Sequence, residues 1–370
     1  MRILLTSAFL CGHSGSELHL RDLARALRDR GHEVRIHALI RGYLAGELEQ
    51  EGFEVLRTLK DVRTPPNIIH AQHQPALIAA LRRFPTVPAI QIIHDATAAI
   101  DEPLILSRVS RYAAVDQRCL ARLSMAGADE GRCEVMLNFV DLQRFEQRPP
   151  LPAVPRRALV FTNYAKTKLE NEAIMGACAD NNISLDFLGT STGFSSANPE
   201  RILPHYDIVF AKARAAIEAM ATGCAVILCD FRGLGELVSP ERLAELRQWN
   251  FGASVLTRPI TRDNIHLELA RYDAEAAAQV CTEIRAEADL AAAAVRWADL
   301  YERTVRGIPD PEMPGEAQML DRLANRWRWV ILTMRMQMRV SNWRRSSGAR
   351  LVFYNLGRLI WRAFNRVPSG

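Results

Sequence analysis

Three groups of polar residues follow apolar runs of the sequence, at positions where buried strands would end. The first group is Cys11-Gly12-His13-Ser14-Gly15-Ser16-Glu17, which comes after the run RILLTSAFL. Its glycines would let backbone N–H groups at a helix start approach a polar ligand, although a tight turn that only begins a helix fits the same spacing. The dinucleotide pattern G-x-G-x-x-G and the hydrolase pattern G-x-S-x-G do not occur in this segment, so it predicts neither class of protein.

The second group consists of histidines at two neighbouring predicted strand ends. His70 and His73 end one strand, and His94 ends the next and is followed by Asp95. Ligands of parallel sheets bind beyond the carboxyl ends of the strands, so we place His94 and Asp95, as candidate catalytic residues, at the ligand-facing edge, and we expect His70 and His73 to line an acceptor pocket. A histidine that only packs at a strand end is the alternative for His94. A metal site formed by the three histidines would lack a clear carboxylate partner, so we predict no metal site.

The third and richest group lies between Asp207 and Glu236, where a strand, a loop, a helix and a second strand can all be identified. Lys212 and Arg214 place positive charge at the start of the helix, where small residues would let amide N–H groups reach a pyrophosphate. The small residues are Ala211, Ala213, Ala215 and Ala216. Glu218, one turn further on, could accept hydrogen bonds from ribose hydroxyls, or it could be a solvated carboxylate near a helix N-terminus.

The elements that would position these groups alternate between strand and helix. Alternation of this kind indicates βαβ units, and therefore an α/β protein with parallel sheets. Four prolines in residues 147–157 interrupt the pattern, and a second alternating series follows. We predict lobes at 1–148 and 156–283, a helix at 284–308 and a basic extension at 315–370.

Charge and composition restrict the class of protein further. Residues 1–310 carry a net charge of −3 and residues 311–370 carry +8, so the basic balance comes from the C-terminal segment. The body of the protein is therefore not predicted to bind nucleic acid. The seven cysteines are scattered and have no Cys-x-x-Cys spacing, which favours a reducing compartment without structural zinc. The apolar start of the chain is interpreted as a first strand, and no apolar run is long enough to span a bilayer.

Three segments together resemble the GT-B glycosyltransferases, and among them glycosyltransferase family 4, over roughly residues 1–305. They are RILLTSAFLCGHSGSELHLRDLARALRDRGHEVRI, NFVDLQRF and IEAMATGCAVILCDFRGLGELV. The resemblance implies a GT-B fold of two Rossmann-like lobes facing a cleft. It also implies that Gly15 lies by the donor and acceptor, that His94 is the active-site histidine and that Glu218 binds the ribose. Further residues are expected to face the nucleotide-sugar from strand-end loops: Asn163, Lys166, Gly189 and Thr190.

The chain departs from the family pattern at two positions. The family has a second glutamate eight residues before the ribose-binding one, and this chain has Phe210 there. Ser14 stands where a glycine is usual. The donor-sugar contact expected of that glutamate is therefore missing, which leaves open a variant phosphate loop or a protein that binds the nucleotide without efficient transfer.

The resemblance implies transfer of a sugar from a nucleotide-sugar to the hydroxyl of a glycan or lipid-linked acceptor. We expect a metal-independent, retaining hexosyltransferase of bacterial surface polysaccharide or glycolipid synthesis, without a cofactor. The alternatives are a non-catalytic, membrane-associated protein that binds sugar nucleotides, and a GT-B-type sugar-nucleotide epimerase.

The C-terminal extension has an unusual composition. Residues 322–366 contain four of the six tryptophans, with arginines alternating among large apolar residues. Such a segment suits an anionic bilayer surface, and we expect a cytoplasmic protein that is peripheral at the inner face of the plasma membrane. Helices packed back on the lobes, or binding of nucleic-acid strands, are the alternatives.

Overall fold

The computed structural model describes residues 1–163, 168–189, 198–307 and 314–346, with the residues after Gln337 as backbone only. The described chain divides into two compact units. The first contains residues 1–114, 119–134 and the described residues from 298 onward, and the second contains residues 115–118 and 135–297. Lys166, Thr190 and residues 347–366 of the predicted membrane segment lie outside the described residues.

The first unit is built on a seven-stranded sheet in the order β3-β2-β1-β4-β5-β6-β7. Its strands are β1 (Arg2–Leu10), β2 (Glu33–Arg41), β3 (Glu54–Leu56), β4 (Ile68–Gln72), β5 (Ala89–Ile93), β6 (Val109–Ala114) and β7 (Cys133–Val135). Its helices are α1 (Gly15–Asp29), α2 (Tyr43–Gln50), α3 (Gln74–Arg83) and α4 (Gln117–Met125). The pairs from β3 through to β6 are all parallel. The strand order reverses between β1 and β4, so the carboxyl ends of these strands form the edge where doubly wound sheets bind ligands.

The second unit has a five-stranded sheet in the order β12-β11-β10-β8-β9. Its strands are β8 (Arg157–Phe161), β9 (Ser184–Leu188), β10 (Ile208–Ala211), β11 (Ala225–Asp230) and β12 (Gly233–Leu237). Its helices are α5 (Lys168–Asp180), α6 (Ala213–Thr222), α7 (Pro240–Gln248), α8 (Arg262–Leu269) and α9 (Ala274–Glu287). The strands are parallel except β12, which runs antiparallel to β11. Here the order reverses between β8 and β10. The predicted α/β class with two parallel-sheet lobes is confirmed.

Two long helices complete the described chain, α10 (Leu290–Arg306) and α11 (Glu316–Ser346). The second unit begins for the most part at residue 135 and ends inside α10 at Trp297, whereas the sequence predicts lobes at 1–148 and 156–283 and a separate extension from 315. The described part of the extension belongs to the first unit because one face of α11 is buried there. The buried residues are Leu320, Trp327, Ile331 and Met334.

Polar contacts also fix α11 to the first unit. The carboxylate of Glu316 accepts hydrogen bonds from the backbone N and the Oγ of Ser107, both at 2.6 Å. Trp327 Nε1 donates to Gln74 Oε1 at 2.8 Å. Burying one large apolar side chain contributes roughly 1.5–3 kcal/mol, so α11 has enough contacts to stay in place. One face of residues 316–337 therefore agrees with the alternative in which the C-terminal extension packs back on a lobe as helices.

Across residues 1–163, 168–189, 198–307 and 314–346, no helix combines the length and the apolar character needed to cross a bilayer.

Candidate functional site

The site in the second unit lies at the carboxyl edge of its sheet, where the strand order reverses. Asn163 follows β8, and Lys212 follows β10 as the residue before α6. Gly189 follows β9 with a φ of 147°, and a Cβ atom there would lie 1.7 Å from the carbonyl oxygen of Thr162. Only glycine allows the two strand-end loops to approach so closely. Gly189 therefore shapes the loop that carries Asn163.

Helix α6 presents its N-terminus at this edge. Lys212 is the N-cap residue, and an ammonium group cannot accept hydrogen bonds from the amides of the first helical turn. Gly223 ends the helix in the left-handed conformation, with a φ of 96°. The N-terminus of α6, which has no side-chain cap at Lys212, leaves partial positive charge directed out of the helix. This charge favours binding of an anion.

Glu218 is a buried carboxylate and not a solvated one. It is 3% exposed, and its Oε1 accepts a hydrogen bond from Arg214 Nε at 2.7 Å. Arg214 is itself only 6% exposed, so the pair is an i, i+4 ion pair shielded from water on both sides. The burial excludes the interpretation of Glu218 as a solvated surface residue, and it couples the two predicted binding residues to each other.

Lys212 is also held by a carboxylate. Its Nζ lies 2.5 Å from Oδ2 of Asp230, the fully buried last residue of β11, and 5.6 Å from the centre of the Phe231 ring. The sequence patterns did not identify Asp230 as a site residue, although an acidic residue at the end of the apolar run AVILCD was a signal that could have done so. The two cations and two carboxylates sum to zero charge. The amides at the start of α6 add positive potential that these four side chains do not neutralise.

Phe210 occupies the position where the family has its second glutamate. The ring is fully buried and belongs to the apolar core formed with residues of α5 and α8. A carboxylate at this position of β10 would lie among apolar groups and would lose its hydration. The residue that departs from the family pattern, Phe210, therefore packs in the apolar core of the second unit.

Ala213 has a backbone conformation that is unusual for alanine. Its φ is 48°, and its backbone N donates to the carbonyl oxygen of Phe251 at 2.8 Å. A Cβ atom in the left-handed region is strained, whereas glycine adopts this region freely. We expect Ala213→Gly to raise the free energy of unfolding by about 0.5–1 kcal/mol, measured by urea denaturation. Ala215→Gly, inside the same helix, should lower it by about the same amount; if Ala213→Gly is equally destabilising, Ala213 is not strained.

The first unit brings the predicted loop and the histidines to the reversal between β1 and β4. The carboxylate of Glu17 accepts hydrogen bonds from the backbone N of Cys11, from Gly12 N at 3.1 Å and from Ser14 N at 3.0 Å. The amides that the sequence offers to a ligand thus already bind an internal anion. Gly15 is exposed, and a Cβ atom there would contact nothing within 4 Å.

His70 and His73 lie in the interior of the first unit, at 1% and 5% exposure. His70 Nδ1 is 2.7 Å from the hydroxyl of Tyr301, and burial lowers the pKa of His70 to about 3. His73 Nδ1 accepts from Ala8 N at 3.3 Å, so the neutral ring carries its proton on Nε2. Burial lowers the pKa of His73 to about 4, and its φ of 69° is a strained conformation. Neither imidazole reaches the surface, so an acceptor pocket would have to form around them.

His94 follows β5 and packs edge-to-face on His19, with 5.0 Å between ring centroids. Among the described residues its buried Nε2 atom has no hydrogen-bond partner. Burial, then the neighbouring His73 and His70, hold the pKa of His94 well below its usual value. His94 is therefore a neutral imidazole with one buried nitrogen that could take part in further hydrogen bonding.

The carboxylate of Asp95 takes part in a local turn. Its Oδ1 accepts from Thr97 N at 2.6 Å, Thr97 Oγ1 at 2.7 Å and Ala98 N at 3.0 Å, which closes a turn. A carboxylate that was not identified from the sequence, Asp101, lies 4.0 Å from His73 Nε2 and is 3% exposed. Burial and nearby Asp95 raise the pKa of Asp101 to about 8. In the described part of the chain, no three His, Cys, Asp or Glu side chains are grouped to hold a metal ion.

Two doubly wound units, each with polar groups at its strand-order reversal, define the GT-B fold. The fold is similar to several solved structures at low sequence identity. The HepE protein of Anabaena, solved with UDP, matches with a TM-score of 0.61 and 16% identity over 82% of this chain and 100% of that one. The AviGT4 glycosyltransferase of avilamycin A biosynthesis matches with a TM-score of 0.52 and 15% identity over 83% and 99%. Sucrose-phosphate synthase from Thermosynechococcus elongatus gives 0.52 and 15% over 82% and 99%.

The family comparison concerns the first part of the chain. Residues 13–144 match the family model described as Glycosyltransferase Family 4. Residues 13–144 are therefore similar to glycosyltransferase family 4, and the chain has the GT-B fold, as the resemblance of its three segments implied. No curated protein matches the chain.

Proposed function

We propose that the protein transfers a sugar from a nucleotide-sugar donor to a hydroxyl of a glycan or lipid-linked acceptor. The observation that carries the proposal is the buried Glu218, one turn into a helix whose N-terminus lies at the strand-order reversal of the second unit. A carboxylate there can accept two hydrogen bonds from a ribose, while the amides before it bind a diphosphate. HepE has been solved with UDP and with UDP-glucose, and the shared fold supports a donor of this chemical class by analogy.

The charges around α6 determine how the leaving diphosphate would be stabilised. Because Lys212 and Arg214 are each held by a carboxylate, the first-turn amides would carry most of the interaction. Lys212 is 18% exposed at its side chain, so it could exchange Asp230 for a phosphate oxygen more easily than Arg214 could leave Glu218. We propose that these groups act without a metal ion and that the sugar is transferred with retention of configuration.

His94 is the proposed catalytic residue. A neutral imidazole can donate and accept hydrogen bonds, which suits orientation of a sugar hydroxyl during transfer. Asn163, Lys166, Gly189 and Thr190 stay proposed contacts of the donor, and Gly15, His70 and His73 stay proposed for the acceptor side. Asp95 would act through the turn that follows His94.

Replacing His94 with alanine tests this role. We expect nucleotide-dependent thermal stabilisation to persist, while the rate of transfer falls by about 10²–10³-fold. Sugar release and product formation would be followed with a panel of nucleotide-sugars and hydroxylated acceptors. His32→Ala, in the same unit, is the control and should leave the rate unchanged. A His94→Ala enzyme with normal rates would exclude His94 from catalysis.

The second candidate is a protein that binds sugar nucleotides without transfer. The buried Phe210 favours it, because no carboxylate stands where the family has its second glutamate. Nucleotide stabilisation without any turnover would support this alternative. Conversion of the donor in the absence of an acceptor would instead indicate an epimerase.

For the transferase, a role in bacterial surface polysaccharide or glycolipid synthesis would place the protein in the cytoplasm. A lipid-linked acceptor would bring it to the inner face of the plasma membrane.

A further inference from the structure

The face of α11 that points away from the first unit carries exposed apolar residues. Trp329 is 71% exposed, Leu332 44% and Met336 55%. At about 100° per residue these positions fall within an arc of roughly 60°, so they form one stripe along the helix. The opposite side of the helix is the buried one, with Trp327, Ile331 and Met334. Packing against the first unit therefore leaves the stripe without a partner in the described chain.

Arginines lie on both sides of this stripe. Arg322, Arg326 and Arg328 are exposed, and the same helical geometry places Arg328 on one side and Arg322 and Arg326 on the other. Asp321, the only exposed acidic residue among the described side chains of α11, is paired with Arg82 at 3.0 Å. The outward face is consequently apolar along its middle and positively charged along its flanks.

We infer that the outward face of α11 is a docking surface for an anionic lipid bilayer. The chemistry selects this occupant. An indole and flanking guanidinium groups suit the headgroup region, and the leucine and methionine side chains suit the acyl boundary just below it. The guanidinium groups of Arg322 and Arg328, one on each side of the stripe, can each bind a lipid phosphate. Residues 1–310 carry a net negative charge, so the basic character is concentrated in the C-terminal segment to which α11 belongs.

The geometry also distinguishes this surface from a helix that inserts on its own. Leu320, Trp327 and the Glu316–Ser107 hydrogen bonds hold the helix on the folded unit, so it would contact the bilayer without losing its packing. The inference extends the proposed function without depending on it, because binding to lipid is measured without any sugar transfer.

The test is co-sedimentation of the full chain with vesicles of phosphatidylcholine alone or mixed with phosphatidylglycerol. We expect binding to the anionic vesicles, and a loss of at least about tenfold in the partition coefficient for Trp329→Ser with Met336→Gln. Arg322→Gln should reduce the partition coefficient by about fivefold, and the reduction should be smaller at high salt. Met125→Gln is the control, because Met125 is 89% exposed on α4 of the same unit and should not change binding.

Three outcomes would overturn the inference: equal binding by Trp329→Ser with Met336→Gln, no binding of the wild type to anionic vesicles, or binding to neutral vesicles that salt does not affect. If the double variant also converts a dimer into a monomer by light scattering, the stripe is an interface between copies of the chain. If polynucleotides bind the same arginines in competition and lipid does not, the surface binds nucleic acid. Unchanged melting temperatures of the variants would show that these exposed substitutions leave the fold intact.

Discussion

Replacing Glu218 with alanine is expected to lower the free energy of unfolding by about 3–5 kcal/mol and to abolish thermal stabilisation by nucleoside diphosphates. The first effect follows from the ion pair, because the buried guanidinium of Arg214 would lose its carboxylate. The second follows from the proposed ribose contact. A single variant therefore mixes a structural effect with a binding effect, and its thermal shift cannot be interpreted alone.

A double variant separates the two effects. Arg214→Met with Glu218→Leu removes both charges and keeps similar volume, so its stability should stay within about 1–2 kcal/mol of the wild type. Thermal shift would then be measured with UDP, GDP and ADP at concentrations that give the wild type about 2–3 kcal/mol of stabilisation. A stable double variant with no shift would assign the pair to the nucleotide site. A stable double variant with the full shift would remove Glu218 from it.

Replacing Asp101 with asparagine is expected to stabilise the protein at neutral and alkaline pH. The pKa of Asp101 is raised to about 8 by burial and by Asp95, above the ordinary value of 3.8. The native state therefore binds this proton more tightly than the unfolded state does. The contribution of Asp101 to stability is largest below about pH 4, and it is lost as the pH rises through the interval up to about 8.

The size of the effect follows from the pKa difference. At pH 7, about three units above the ordinary value, Asp101 would cost the native state on the order of 4 kcal/mol relative to acidic pH. An asparagine side chain cannot ionise, so Asp101→Asn should be more stable than the wild type by about 2–4 kcal/mol at pH 7 and nearly equal at pH 4.

Urea denaturation at several pH values gives the required comparison. The wild type alone would not show the effect cleanly, since His37, His70 and His73 have pKa values lowered by burial to about 4, 3 and 4. Those groups destabilise the native state as the pH falls below about 6.5, which opposes the effect of Asp101. The difference between wild type and variant cancels them. Asp61→Asn, at an exposed position in the same unit, is the control for the loss of one carboxylate. A difference between wild type and Asp101→Asn that does not change with pH would contradict the raised pKa of Asp101.

The strands and the main helices could be predicted because buried parallel strands produce apolar runs and their connecting helices produce apolar periodicity. The observed β1, α1, β10 and α6 lie where the sequence predicts them. The antiparallel β12 was not foreseen, because the short segment GLGEL has no property that reports strand direction. The helical packing of α11 was only one of the alternatives, because a basic helix with tryptophans suits either a lobe or a bilayer.

The strand-end positions of the candidate site residues were predictable from the sequence, but the partners of these residues were not. Residues after strands were correctly located at the carboxyl edges, since this follows from topology. The partners of those residues depend on tertiary distances, as the Lys212–Asp230 and His73–Asp101 pairs show. Two pairings did have local signals that sequence reasoning left unused. Arg214 and Glu218 have i, i+4 spacing, and Ser14 and Glu17 have the spacing of a capping box.

The hydrogen bonds of Glu17 have a consequence for what the first unit can bind. Its carboxylate is tethered beside the amides of Cys11, Gly12 and Ser14, so it acts as an intramolecular competitor at high effective concentration. A free anion would have to displace it and would gain little, because one carboxylate replaces another. A neutral hydroxylated molecule does not need these amides. In the proposed function we therefore expect this loop to favour uncharged hydroxylated acceptors, and we expect phosphate groups to bind at α6.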